Sequence, residues 1–115
     1  MHYIYRMNTA ETARCLSELG HVTRLQIYRF MVRQGKSVPV GTIQEELDIP
    51  GSTLSHHIGR LTKAGLITQK RDGRMLYCSP RLNRLQSIID YLAAECCGGK
   101  GCIEVRGTNK KMQIE

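Results

Sequence analysis

Ser52-Thr53-Leu54-Ser55-His56-His57-Ile58-Gly59-Arg60-Leu61-Thr62-Lys63-Ala64-Gly65 reads as a helix with two unlike sides. At about 100° per residue, Leu54, Ile58 and Leu61 fall together and would pack inward. The opposite side carries Ser52, His56, Gly59, Arg60 and Lys63, with Thr53, Ser55 and His57 on its flanks. It offers hydrogen-bonding groups and cations but no carboxylate, and Gly59 lets a partner approach the backbone. Ser52 is expected to cap this helix and Gly65 to close it.

Working outward, Asp48, Pro50 and Gly51 form a turn, and before it a short helix starts near Pro39 and runs through Ile43 and Leu47. Two short helices joined by such a turn make a helix-turn-helix. Residues 66–71 and 74–78 read as strands joined by Asp72-Gly73, a hairpin signal for a type I′ turn with positive φ at both central positions. Further upstream, Asn8 and Glu11 form a capping box for a helix carrying Ala10, Ala13, Leu16 and Leu19, closed by Gly20. A second helix, from Val22 to about Gln34, carries Leu25, Ile27, Tyr28, Met31 and Val32 and ends at Gly35. Downstream, Ser79 and Pro80 are placed as N-cap and first residue of a fifth helix, with an apolar stripe of Leu82, Leu85, Ile88, Ile89 and Leu92.

The predicted fold is therefore mostly α with a small β-hairpin, in the order four helices, two strands, one helix: a winged helix-turn-helix. Residues 1–95 make one DNA-binding and dimerisation domain, 96–102 a cysteine-rich loop, and 103–115 a flexible tail. A chain of 115 residues with 41% hydrophobic content suits one small globular core. No apolar run is long enough to span a membrane, and Met1 to Met7 contain His2 and Arg6 and do not form a signal peptide. Five cysteines without an export signal point to a reducing, cytoplasmic setting.

A formal net charge of +7 makes a polyanion the first partner to consider, and the charge is concentrated. Between residues 52 and 84 stand seven cations (Arg60, Lys63, Lys70, Arg71, Arg74, Arg81 and Arg84) against one anion, Asp72. Lys70, Arg71 and Arg74 bracket the hairpin tip, within reach of phosphates or a minor groove. The expected DNA-contacting set is Ser52, Thr53, Ser55, His56, His57, Arg60, Lys63, Lys70, Arg71 and Arg74. Adjacent helix positions diverge, so His56 and His57 do not share one metal ion, and His21 at a helix start suits a cap or packing role.

Cys96, Cys97 and Cys102 form the second constellation. Thiolates select soft ions, and Gly98, Gly99 and Gly101 permit the tight reversal that would bring the three sulfurs together. Binding a metal would expel thiol protons, and Lys100 would offset the charge of a tris-thiolate. Structural zinc usually closes with four ligands, whereas arsenite or antimonite is satisfied by three sulfurs in a pyramid, and lead similarly. The alternatives are an incidental cysteine tail or a vicinal disulfide. Cys15 and Cys78 read as small buried hydrophobes, Cys15 with a secondary ligand role left open.

Four segments resemble the ArsR/SmtB bacterial metalloregulators. They are Glu18-Leu19-Gly20-His21-Val22-Thr23-Arg24-Leu25, Ser52-Thr53-Leu54-Ser55-His56-His57-Ile58, Leu61-Thr62-Lys63-Ala64-Gly65-Leu66-Ile67 and Asp72-Gly73-Arg74, within a resemblance covering residues 9–95. The resemblance implies a homodimeric repressor, paired through its first and fifth helices, that leaves its double-stranded, inverted-repeat operator when a toxic metal or metalloid binds. Val22 stands where the family often has proline. The helix Val40 to Leu47 lacks the cysteines of the family's arsenic site there, and the fifth helix offers Asp90 without histidine for the zinc site of other members. What remains is similar to arsenic-responsive members with a cysteine pair and a third cysteine after the fifth helix, matched by Cys96, Cys97 and Cys102. Sensing of lead, cadmium, copper, thiol redox state or reactive sulfur stays open beside arsenite and antimonite. The C-x5-R spacing of Cys78 to Arg84 would suit a phosphatase loop. The intervening residues, however, contain no glycine to open a phosphate cradle, and the strands before it form a hairpin. The chain is therefore not read as an enzyme.

Overall fold

Asn8 opens the first helix as predicted. Its side chain accepts the Glu11 amide at 2.7 Å, and Glu11 Oε1 accepts the Asn8 amide at 3.2 Å, a complete capping box. The computed structural model describes residues 7–94 and Gly98. Its elements are α1 (Thr9–Leu19), α2 (Val22–Gln34), β1 (Val38–Pro39), α3 (Val40–Leu47), α4 (Gly51–Lys63), β2 (Ile67–Asp72), β3 (Met75–Pro80) and α5 (Leu82–Ala93).

The winged helix-turn-helix is present, with one strand more than expected. β1 pairs antiparallel with β3, Val38 opposite Cys78 and Pro39 opposite Tyr77, giving a three-stranded sheet of order β1-β3-β2. A two-residue strand leaves no alternation to read, and its proline is tolerated because β1 is an edge strand.

The hairpin turn is shifted by one residue. Asp72 pairs with Met75, so the central residues are Gly73 and Arg74, not Asp72 and Gly73. Only Gly73 has positive φ (63°), the pattern of a type II′ turn, which needs glycine at its first central position.

Two helix starts also differ. α4 begins at Gly51 with Pro50 as N-cap, and the Pro50 carbonyl accepts the Leu54 amide at 2.9 Å, so Ser52 lies inside the helix. Ser79 and Pro80 continue β3 opposite Thr68 and Ile67, and Arg81 is the N-cap of α5. The Arg81 amide is drawn to the Leu66 carbonyl at 2.9 Å, which delays the helix past the proline.

Leu54, Ile58 and Leu61 are buried, as their spacing predicts, in a core with Ile27, Met31, Ile43, Leu66 and Ile67. On α1 the inner face is Thr12 and Cys15, while Ala10, Ala13 and Leu16 are exposed. α2 buries Ile27, Tyr28, Phe30 and Met31 and leaves Leu25 outside. On α5 Ile88 is buried, yet Leu82 and Leu92 are 58% and 60% exposed.

Candidate nucleic-acid interface

The turn between α3 and α4 sets the direction of α4. Asp48 closes α3 in the left-handed conformation (φ 54°, ψ 55°), which aspartate tolerates better than most residues. The amide of the next residue, Ile49, donates back to the Gln44 carbonyl at 3.2 Å, and the buried Ile49 side chain anchors the turn. At the far end of α4, the Arg14 guanidinium donates to the Lys63 carbonyl at 3.1 Å, placing a cation on a helix C-terminus.

With α4 so fixed, Ser52, Thr53, Ser55, His56, Gly59, Arg60 and Lys63 are all exposed. Gly59 faces open space, with nothing within 4 Å of where a Cβ would stand. Lys70, Arg71 and Arg74 are exposed around the hairpin tip. The wing root is seated against α4: Gln69 Nε2 donates to Thr62 Oγ1 at 2.9 Å, and Thr62 Oγ1 donates to the Ile58 carbonyl at 2.8 Å. Nine of the ten sequence-selected contact residues therefore lie on accessible surface of α4 and the wing.

His57 is the exception and leaves the set. It is 7% exposed and turned toward the corner between α1 and α2. Arg24 Nη1 lies 3.2 Å from His57 Nδ1. Arginine only donates, so Nδ1 holds a lone pair and the ring proton sits on Nε2. The His21 ring lies with its centroid 4.7 Å away. Burial, with the nearby His21 and Arg24, holds the His57 pKa below the usual imidazole range. A flank position on a helical wheel can turn either way, and here the packing of α2 turns it inward.

Arg60 is on the surface but already engaged. Its Nε donates to Glu18 Oε1 and its Nη2 to Glu18 Oε2, both at 3.0 Å. Hydrogen bonding from Arg60 keeps the Glu18 carboxyl below the usual carboxylate range. Glu18 also meets Arg24 Nε at 3.3 Å, and Arg24 Nε donates to the Glu18 carbonyl at 2.7 Å. Sequence reasoning overlooked Glu18 and Arg24, because nothing in their spacing ties them to positions 57 and 60. His21 is the N-cap of α2, its Nδ1 accepting the Thr23 amide at 3.1 Å.

The cysteines divide. Cys96, Cys97 and Cys102 lie outside the described residues. Cys15 is buried and donates to the Ala64 carbonyl at 3.5 Å, and burial raises its pKa. Cys78 is wholly buried in β3 and its pKa is pushed up to about 11. A thiol so enclosed and so weakly acidic is the reverse of an activated nucleophile, which disposes of the C-x5-R reading. Arg84, the other end of that spacing, lies over Gly65, where a Cβ would come within 2.6 Å of its Nη2. Among the described residues, no group of three or more His, Cys, Asp or Glu side chains could hold a metal ion, and no helix is long and apolar enough to cross a membrane.

These features define a winged helix-turn-helix transcriptional regulator. A family model described as a helix-turn-helix domain matches residues 19–70. The chain is 35% identical over 85 residues to an HTH-type transcriptional regulator of Methanocaldococcus jannaschii, covering 71% of this chain and 94% of that one. It is 37% identical over 59 residues to the "Putative arsenical resistance operon repressor ArsR" of Halobacterium salinarum, covering 51% of this chain and 46% of that protein, under half its length. Among solved structures it superposes on the homodimeric winged helix-turn-helix DNA-binding domain of Mb0332 from Mycobacterium bovis. That match has a TM-score of 0.60 and 21% identity, covering 83% of this chain and 89% of the other. The chain belongs to the helix-turn-helix transcriptional regulators, and the relatives it matches carry the names of regulators, not of enzymes.

Proposed function

We propose that this protein is a homodimeric repressor that binds double-stranded operator DNA and releases it when arsenite or antimonite binds Cys96, Cys97 and Cys102. The observation that carries the DNA reading is the exposed face of α4, with Ser52, Thr53, Ser55, His56 and Lys63 around an unobstructed Gly59 and the cations of the wing beside it. In this reading α4 enters the major groove, its short polar side chains meet base edges, and Lys63 with the wing residues Lys70, Arg71 and Arg74 contacts phosphates or a minor groove.

Dimerisation is supported by apolar surface that the described protomer leaves uncovered. Leu16 on α1 and Leu82, Tyr91 and Leu92 on α5 are exposed, and Thr9 of α1 hydrogen-bonds to Tyr91 of α5. Pairing through α1 and α5 would place two α4 helices about 34 Å apart, one DNA turn, over an inverted repeat.

The inducer reading rests on thiol chemistry and on the arsenical function in the name of the archaeal relative. Arsenous acid exchanges its three hydroxides for three sulfurs. Each hydroxide leaves as water with a thiol proton, so no oxidant is needed. Tris-thiolate closure just after α5 would disturb the helix proposed to build the dimer. A coupling of about 1–3 kcal/mol lowers DNA affinity about 5- to 150-fold. Competition among arsenite, antimonite, lead, cadmium, copper and zinc for release of bound DNA tests the reading, with mass spectrometry after mild oxidation to detect a redox response. Release by arsenite or antimonite at the lowest concentration supports it. Release only by another ion, or only by disulfide formation, assigns the site to that agent.

A further inference from the structure

Four side chains from three helices form a clamp on the inner flank of α4. Glu18 from α1 is forked to Arg60 of α4, and Arg24 from α2 faces His57 of α4 while meeting Glu18 with its own Nε. Positions 57 and 60 are three residues apart on α4: His57 is buried toward the α1–α2 corner, while the half-exposed Arg60 reaches back from the edge of the exposed face to Glu18. We infer that Glu18 and Arg24 are positioning residues for DNA reading: they fix the rotation of α4 against α1 without themselves touching DNA. The inference rests on the DNA-binding reading above.

The bonding pattern supports geometry over mere adhesion. An exposed ion pair needs one contact, but the Glu18 carboxylate uses both oxygens on Arg60, which allows only one relative orientation of the two groups. The Glu18 side chain is 13% exposed and that of Arg24 is 10% exposed, so neither is a loose surface charge, while the Arg60 side chain that Glu18 holds is 48% exposed. Arg24 is satisfied at three points, namely the Glu18 carbonyl, the Glu18 carboxylate and His57 Nδ1. A largely buried ion pair such as Glu18–Arg24 contributes little net stability compared with apolar packing of the same volume, and the best-attested use of such pairs is to specify one arrangement among several. Here the arrangement specified is that of the exposed face of the same helix, which Arg60 borders. α1 is also proposed as part of the dimer interface, so the clamp would carry dimer geometry to the reading face.

The test uses the duplex that the wild-type protein enriches from a random-sequence pool, with a scrambled duplex of the same composition as control. Affinity for both, the salt dependence of each and the thermal midpoint are measured for Glu18→Gln and Arg60→Lys. Glu18→Gln keeps an acceptor but loses the charge, and Arg60→Lys keeps the charge but loses the fork. Expected for Glu18→Gln is a roughly 10-fold loss on the enriched duplex, the scale of indirect positioning effects. Scrambled-duplex affinity, salt slope and thermal midpoint should be nearly unchanged. Arg60→Lys should show the same selective loss, smaller in size. A gain on both duplexes with a salt slope steeper by about one phosphate contact would make Glu18 a competitor for Arg60 and overturn the inference. Parallel losses on both duplexes with a lowered thermal midpoint would make the clamp a general fold support, which also overturns it. Wild-type enrichment with an unaffected Glu18→Gln variant defeats this inference alone. Failure of the wild type to enrich any sequence defeats the DNA-binding reading first.

Discussion

Gln69 of the wing and Thr62 of α4 are joined side chain to side chain at 2.9 Å, while the wing tip beyond them makes no comparable tie to α4 among the described residues. The wing is thus hinged at its root, with Lys70, Arg71 and Arg74 carried on the free end. Gln69→Ala should lower affinity for the enriched duplex about 2- to 5-fold through loss of wing placement, in the range of indirect effects. Gln69 is exposed, so the folding free energy should stay within about 0.5 kcal/mol of wild type. Fluorescence anisotropy on a labelled duplex, paired with calorimetry, measures both.

Gly59 separates stability from function. It lies inside α4 with open space where a Cβ would go, so Gly59→Ala should stabilise the fold by up to about 1 kcal/mol through helix propensity. The same methyl group would stand between α4 and a groove floor. DNA affinity is expected to fall about 10-fold, comparable to the loss of one base-pair match, which costs about 1–3 kcal/mol. A stabilised variant with undiminished affinity would place the DNA elsewhere.

Stability should depend on pH through His57. Its folded-state pKa lies below the ordinary 6.5, so between those two values the unfolded chain binds more protons than the folded one. The stabilisation is complete above 6.5 and is lost as pH falls through the folded value. Glu18 adds a second loss below its ordinary 4.5, because its folded pKa is also lowered. His57→Gln retains an acceptor for Arg24 and should flatten the first decline. Urea midpoints between about pH 8 and pH 5 compare the two proteins over the imidazole range. Equal slopes would show that His57 titrates as an ordinary surface histidine.

How legible the molecule was in its sequence varies with what each feature depends on. The inner face of α4 was readable because Leu54, Ile58 and Leu61 obey one helical period and are buried by one neighbour surface. The capping box at Asn8 was readable because both its hydrogen bonds are local. His57 was misassigned because a flank residue is placed by tertiary packing, here by Arg24, 33 positions away. The fork between Glu18 and Arg60 spans 42 positions and left no trace in spacing. At the hairpin, Asp-Gly and Gly-Arg are both workable turns, and the cross-strand register of Cys78 with Gln69 chose between them. The exposed face of α4 was thus visible in outline, and the network beside it was not.

Cys15 and Cys78 should resist thiol reagents while the protein is folded. Both are buried and both have raised pKa values, that of Cys78 to about 11, so little thiolate is present near neutral pH. For a raised pKa the stabilisation is complete below the ordinary 9.0 and is lost as pH rises through the folded value. Mass spectrometry after maleimide treatment should find these two unmodified in the native protein and modified in denaturant. Labelling of either under native conditions would show local opening of the core.

An arsenite titration of the complex between the protein and its enriched duplex bears most directly on the proposed function. Dissociation is expected as arsenite saturates one site per protomer, with Cys102→Ser binding DNA as wild type does but failing to let go. Undiminished DNA affinity at saturating arsenite, with all five cysteines reduced, would contradict it.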